Sequence, residues 1–215
     1  MEYIFLDLDG TITDSREGIT NCFVYALSHF GIEVADKASL EKYIGPPLEQ
    51  SFREGFGLDQ EKAALAVKKY RERFIPVGMY ENKVYDGMEE ALQRLKEAGK
   101  VLIVATSKPE HMAVKILQHF GLDGYFDDIC GADDDHNRSK KDEVIRYALE
   151  KHEITDLSEV LMVGDRSFDV IGASKCGLSC MGVLYGFGDR AELQGAGAAY
   201  IAETPEEMAE IIVTL

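Results

Sequence analysis

A chain of 215 residues with 46% hydrophobic content is large enough for one big domain, or for one domain carrying an insertion, and has ample material for a core. A formal net charge of −16 repels nucleic-acid phosphates and anionic lipid, so neither a nucleic-acid polymer nor a membrane surface is the expected partner. No stretch approaches the roughly 20 apolar residues of a membrane span, no basic leader precedes the first apolar run, and the expected compartment is the cytoplasm.

Tyr3-Ile4-Phe5-Leu6 is a run of strand-forming types, and Asp7-Leu8-Asp9-Gly10-Thr11 follows it directly. Ile19, Phe23, Leu27 and Phe30 then recur at helical spacing up to Gly31. A short helix is expected at 40–44 before Gly45-Pro46-Pro47, and Leu48, Phe52 and Phe56 resume the period. A longer helix is expected from Asp59 to Ile75, stopped by Pro76 and Gly78. No convincing strand lies between Asp14 and about Asn82, so this block reads as helical.

From Val84 the rhythm changes. Strand runs at Val101–Ala105, around Ile129, at Val160–Val163, at Cys180–Leu184 and at Tyr200-Ile201 alternate with helices at 88–98, 110–120, 142–150, through Val170–Ala173, and from Pro205. This alternation implies an α/β fold, a doubly wound, Rossmann-like parallel sheet with helices on both faces. The helical block is then an insertion: residues 1–14 and 83–215 form the expected core, and 15–82 an α-helical cap. Cys22, Cys130, Cys176 and Cys180 make no CxxC pair and read as free thiols without a zinc site.

In a parallel sheet the chemistry gathers at the carboxyl ends of the strands. Three further segments share that position with Asp7 and Asp9: Thr106-Ser107-Lys108-Pro109, Lys140-Lys141, and Gly164-Asp165-Arg166-Ser167-Phe168-Asp169. Alone, each has a bland reading as a cap, a turn or a solvated pair. Together they gather Asp7, Asp9, Asp165 and Asp169 with a hydroxyl and an ammonium. Four carboxylates in one cleft repel one another unless a cation compensates them, and Mg²⁺ is suited to oxygen ligands.

DLDGT at 7–11, preceded by its strand, VATSK at 104–108, a lysine ahead of a helix, and VGDRSFD at 163–169 resemble the four motifs of the haloacid dehalogenase superfamily of phosphohydrolases. The resemblance covers essentially the whole chain and extends to a small helical cap after the first motif. It is nearest to the phosphoglycolate-phosphatase-like and 5′-nucleotidase-like members. It implies that Asp7 is the nucleophile and that Asp9 is the acid and base, with a backbone carbonyl on Mg²⁺. It implies further that Thr106 binds a phosphoryl oxygen, that Lys141 (or Lys140) offsets charge, that Asp165 ligates Mg²⁺, and that Asp169 supports the metal's waters or the lysine. Gly10 and Ser107 would lend backbone N–H groups to the phosphate. Ser107 departs from the Asn of many relatives, and the lysine lacks the Lys-Pro-x-Pro pattern.

The expected activity is Mg²⁺-dependent hydrolysis of a small phosphorylated metabolite, a nucleoside 5′-monophosphate or phosphoglycolate, with oligomeric state open. A sugar-phosphate mutase is the alternative on the same core. A phospho-accepting signalling domain is the alternative of another class, and Asp9 and the insertion count against it. A dehalogenase is disfavoured by the Asp7/Asp9 pair, and a phosphonatase by the solvated look of the cap lysines. Arg16, Asn21, Arg53 and the Gly45-Pro46-Pro47 loop are the cap residues considered for substrate contact, though a structural role is favoured for each. Gly182–Gly188 reads as a strand and flexible turn in preference to a wall of the site.

Overall fold

A computed structural model describes residues 1–133 and 138–215. Its centre is β1 (Tyr3–Leu6), all but one of whose four residues are fully buried, as a strand covered on both faces requires. The chain then forms β2 (Thr13–Asp14), α1 (Arg16–Ser28), a 3₁₀ segment at Lys37–Tyr43, α2 (Leu48–Phe56), α3 (Gln60–Arg73) and β3 (Lys83–Val84). It continues through α4 (Met88–Glu97), β4 (Val101–Pro109), α5 (Glu110–His119), β5 (Asp128–Ala132), α6 (Lys141–Lys151), β6 (Val160–Gly164) and α7 (Ser167–Lys175). It ends with β7 (Ser179–Val183), α8 (Arg190–Ala196), β8 (Tyr200–Ala202) and α9 (Pro205–Thr214).

Six strands form one sheet in the order β5-β4-β1-β6-β7-β8, and every pairing is parallel. Chain order reverses on either side of β1, which makes the sheet doubly wound. Phe5, Ile103 and Met162 face one side and pack with Val144 and Ile145 of α6, Val170 of α7 and Leu193 of α8. Their neighbours Ile4, Leu6, Leu102 and Val104 alternate to the other side, where α4, α5 and α9 lie.

The chain divides into two compact units, residues 1–13 with 84–215 and residues 14–83. The second is helical and has its own core. Phe23 of α1 is fully buried, with its ring 5.0 Å from Phe52, 5.4 Å from Tyr70, 5.8 Å from Tyr43 and 6.2 Å from Phe56. Aromatic rings at such separations gain from edge and offset contacts as well as burial.

Several boundaries differ from the sequence expectation. The helix through Arg73 does not stop at Pro76; it widens into a π-helical turn over Phe74–Gly78, closed by Met79 N donating to Phe74 O at 2.8 Å. Pro76 lies inside that turn. The second motif is not loop after Ala105: β4 runs on to Pro109 with a register break after Ala105. Helix α8 was not anticipated, because its seven residues carry little apolar periodicity among many glycines.

Truncating Phe23 to Ala should cost about 3–5 kcal/mol in the unfolding of residues 14–83, measured by denaturant titration. A loss below about 1 kcal/mol would mean that the ring is not the centre of that core.

Candidate active site

Strand register brings the motif residues abreast. Leu6 is level with Val104 on one side and with Val163 on the other, so Asp7, Ala105 and Gly164 follow at one height. Asp7 N donates to Val163 O at 3.0 Å, which carries the pairing one residue past the strand end. Thr106 comes next in β4 and Asp165 directly after β6, and both are buried.

Lys141 is the first residue of α6, and its side chain is only 6% exposed. Its ammonium has three N–H donors and three acceptors in reach: Asp7 Oδ1 at 2.8 Å, Asp169 Oδ1 at 2.8 Å and Ala105 O at 2.9 Å. Burial pulls its pKa down, but the charges of Asp169 and Asp7 more than offset this and raise it above the usual lysine value. Lys140 is exposed at the N-cap. Of the two lysines considered, Lys141 is the one that meets the carboxylates.

Asp165 is fully buried, and Phe187 N donates to its Oδ2 at 2.7 Å. Its Oδ1 is buried and has no hydrogen-bond partner among the described residues. Burial first, and then the charges of Asp169 and Asp7, push its carboxyl well above the ordinary carboxylate range. Burial likewise lifts Asp169 to about 6, with Asp7 adding to the shift against the pull of Lys141. A ligand oxygen from each of Asp7, Asp165 and Asp169 lies within 4.8 Å of the others. An orphaned buried oxygen among three carboxylates fits a hard divalent cation. The mixed cluster Asp128, Cys130 and His152 does not fit in the same way. Both Asp128 oxygens are taken there, by Lys151 Nζ at 2.7 and 3.0 Å, by His152 Nε2 at 2.8 Å and by Ile129 N at 2.9 Å.

Asp9 meets a residue to which the sequence reading gave no role. Lys108 Nζ lies 2.8 Å from Asp9 Oδ2, with a side chain 6% exposed. The available signal was its place directly after Thr106-Ser107 in the second motif. Thr106 Oγ1 accepts from Lys108 N at 3.2 Å.

Gly10 corrects one expectation. Its N–H donates to Thr13 O at 2.8 Å, so it is engaged within the loop and is not offered to a phosphate. Glycine is needed there for other reasons: φ is +83°, and a Cβ would come within 2.2 Å of Asp165 Oδ2. The late glycine-rich segment is a wall of the site, contrary to the bland reading favoured for it. A Cβ on Gly186 would lie 2.3 Å from both Asp165 Cβ and Gly10 O. Ser107, by contrast, is half-buried at the end of β4.

Two of the cap residues considered for substrate contact, Arg16 and Asn21, have partners within the helical unit. Arg16 Nε lies 3.4 Å from Glu41, and Asn21 donates to Glu81 at 3.2 Å and accepts from Lys37 at 2.6 Å. Arg53 lies on α2, and Gly45-Pro46-Pro47 immediately precedes that helix.

The family model described as haloacid dehalogenase-like hydrolase matches residues 3–183. The chain belongs to the haloacid dehalogenase-like hydrolases. Within that family it is an enzyme of the phosphatase type. It is 47% identical over 191 residues to a 5′-nucleotidase of Pseudomonas aeruginosa, covering 89% of this chain and 86% of that one. It is 39% identical over 189 residues to the tyrosine-protein kinase PtkA of Mycobacterium tuberculosis; this covers 87% of the chain but only 63% of the longer PtkA. A phosphoglycolate phosphatase of Vibrio parahaemolyticus is 25% identical over 220 residues, 99% of this chain and 96% of that one. The crystal structure of a predicted phosphatase from Clostridium acetobutylicum superposes with a TM-score of 0.96 at 48% identity, over 100% of this chain and 99% of that one.

Because burial and like charges raise Asp165, neutralising it should help the metal-free fold and harm cation capture. Asp165→Asn is expected to raise the metal-free thermal midpoint and to show no further rise on adding a divalent cation, where the wild type is expected to show one. A lowered metal-free midpoint would contradict this reading of the cluster.

Proposed function

We propose that this haloacid dehalogenase-like hydrolase is a cytoplasmic, Mg²⁺-dependent phosphomonoesterase. It cleaves a small phosphorylated metabolite through an aspartyl-phosphate. The observation that carries the reading is the Asp7 carboxylate, gripped by Lys141 at 2.8 Å at the end of the central strand. A carboxylate so fixed has lost most of the orientational freedom that an attack must otherwise restrict.

In the first half-reaction an Asp7 carboxylate oxygen forms a bond to phosphorus as the ester P–O bond breaks. Asp9 gives its proton to the departing oxygen. In the second, Asp9 takes a proton from water as the water oxygen attacks phosphorus, releasing inorganic phosphate and restoring Asp7. Lys108 keeps the Asp9 carboxylate in position through its 2.8 Å contact. Thr106 donates its hydroxyl to a phosphoryl oxygen, Ser107 its backbone N–H, and Lys141 offsets negative charge on Asp7 and the phosphoryl group. Asp7, Asp165 and the Asp9 main-chain carbonyl would hold Mg²⁺, with Asp169 supporting its waters and Lys141. When bound, the ion offsets carboxylate charge and polarises phosphoryl oxygens as a Lewis acid.

Among substrates, nucleoside 5′-monophosphates are favoured over phosphoglycolate. The relative named a 5′-nucleotidase is 47% identical, against 25% for the phosphoglycolate phosphatase. A second reading, transfer to a hydroxyl in place of water, draws support from the 39% identity to a tyrosine kinase. A sugar-phosphate mutase is another form of that reading. A signalling domain would undergo one stable phosphorylation and no turnover.

The test is release of inorganic phosphate from a panel of nucleoside 5′-monophosphates, phosphoglycolate and sugar phosphates. The expected result is steady, multiple-turnover release with Mg²⁺ that stops on chelation. Asp7→Asn should lower kcat by more than about 1,000-fold while the fold, read by circular dichroism, is retained. Near-native turnover in Asp7→Asn or in chelator would remove this mechanism. Phosphate appearing on an added acceptor hydroxyl in place of solution would favour the transfer reading.

A further inference from the structure

Helix α8 is absent from the four motifs, yet its first turn reaches the segment that follows Asp165. Glu192 Oε1 accepts three hydrogen bonds, from Arg166 Nε at 2.9 Å, Ser167 N at 2.8 Å and Ser167 Oγ at 2.8 Å. Arg166 is the N-cap of α7, and its own N–H donates to Asp169 Oδ2 at 3.1 Å. On the other side of Asp165, Phe187 N holds Oδ2 at 2.7 Å, and Gly186 and Gly188 leave no room for a Cβ against it. Asp189 accepts from Glu192 N at 2.8 Å and so starts α8 in register with these contacts. A single stretch, 186–192, thus holds the Asp165 carboxylate near one end, through Phe187 N, and the Ser167 backbone N–H at the other, through Glu192.

We infer that Glu192 is a positioning residue for divalent-cation capture, acting through Arg166 and Ser167 to present the unpartnered Oδ1 of Asp165. This rests on the metal-dependent reading above. The physical need is specific. Asp165 and Asp169 are buried near Asp7 and repel it and one another, so the turn that carries both is under outward electrostatic load. Side-chain rotation of Asp165 is limited by Phe187 N–H, and the turn beneath it is closed by Arg166 N donating to Asp169 Oδ2 and Asp169 N donating to Arg166 O at 3.0 Å, but those bonds lie within the turn, and a tie to a neighbouring helix must come from outside it. Glu192 supplies that tie. Its own charge adds no surplus to the cluster, because Arg166 neutralises it at 2.9 Å. Groups that orient a metal's ligands without touching the metal typically govern affinity by about 10- to 100-fold.

The test compares Glu192→Ala and Glu192→Gln with wild type and with Asp165→Asn. Mn²⁺ binding to the free protein is read by electron paramagnetic resonance. Thermal midpoints without metal and the Mg²⁺ dependence of phosphate release complete the comparison. Glu192→Ala should weaken Mn²⁺ binding about 10-fold and raise the half-saturating Mg²⁺ by a similar factor, with kcat at saturating Mg²⁺ kept within about twofold. Glu192→Gln keeps an acceptor for Ser167 but loses the charge pairing with Arg166, so its Mn²⁺ affinity should fall between the other two. If Glu192→Ala does not fold, the weakened Mn²⁺ affinity of Glu192→Gln carries the test. Wild-type Mn²⁺ affinity in every folded Glu192 variant, with Asp165→Asn failing to bind, would overturn the role of Glu192 alone. Absence of Mn²⁺ binding in wild type would overturn both this role and the metal-dependent function.

Discussion

The ammonium of Lys141 joins elements that are distant in sequence. From its place at the start of α6 it donates to the carbonyl of Ala105 in β4 and forms ion pairs with the carboxylates of Asp7 after β1 and Asp169 in α7. An ammonium buried to this degree is costly unless it is paired, and here it donates to one carbonyl and lies 2.8 Å from each of two carboxylates. Removing one partner from such a buried set typically costs about 3–5 kcal/mol, because the charge left behind has no solvent to turn to. The site therefore depends on this one cation before any substrate arrives.

Lys141 does not balance the whole cluster. With Lys108 occupied by Asp9, three carboxylates face one ammonium; Lys141 meets Asp7 and Asp169, and Asp165 stands outside both pairs. That residue is fully buried and is pushed well above the ordinary carboxylate range, and its Oδ1, like the Oδ1 of Asp7, Asp9 and Asp169, is buried without a hydrogen-bond partner among the described residues. A fold selected for stability alone would replace such a group. Its retention at the mouth of a parallel sheet, beside a gripped Asp7, is the kind of local conflict that functional sites tolerate.

The parallel sheet was legible because β1, the first five residues of β4 and β6 are continuous apolar runs, the pattern of strands buried on both faces. The placement of Asp7, Thr106, Lys141 and Asp165 followed from their positions just after such runs, or at the head of the next helix. What escaped notice depends on tertiary contact. Lys108 looked like one more residue after Ser107, and only the extension of β4 turns it onto Asp9. Gly186 looked like a flexible turn, since no local pattern announces that Asp165 and Gly10 will press against it. Gly10 carried a correct motif for a partly different reason: its N–H serves the loop, and its missing side chain serves Asp165. Helix α8 is held by Asp189 at its N-cap and by Glu192 on Arg166 and Ser167, and such capping and ionic contacts leave no periodic trace.

The central claim is that this carboxylate cluster is built around a divalent cation. Anomalous X-ray diffraction from crystals soaked in Mn²⁺ tests it most directly. The account predicts a peak beside the carboxylates of Asp7 and Asp165. Density with no such peak at saturating Mn²⁺, or a peak at Asp128, Cys130 and His152 in its place, would contradict it.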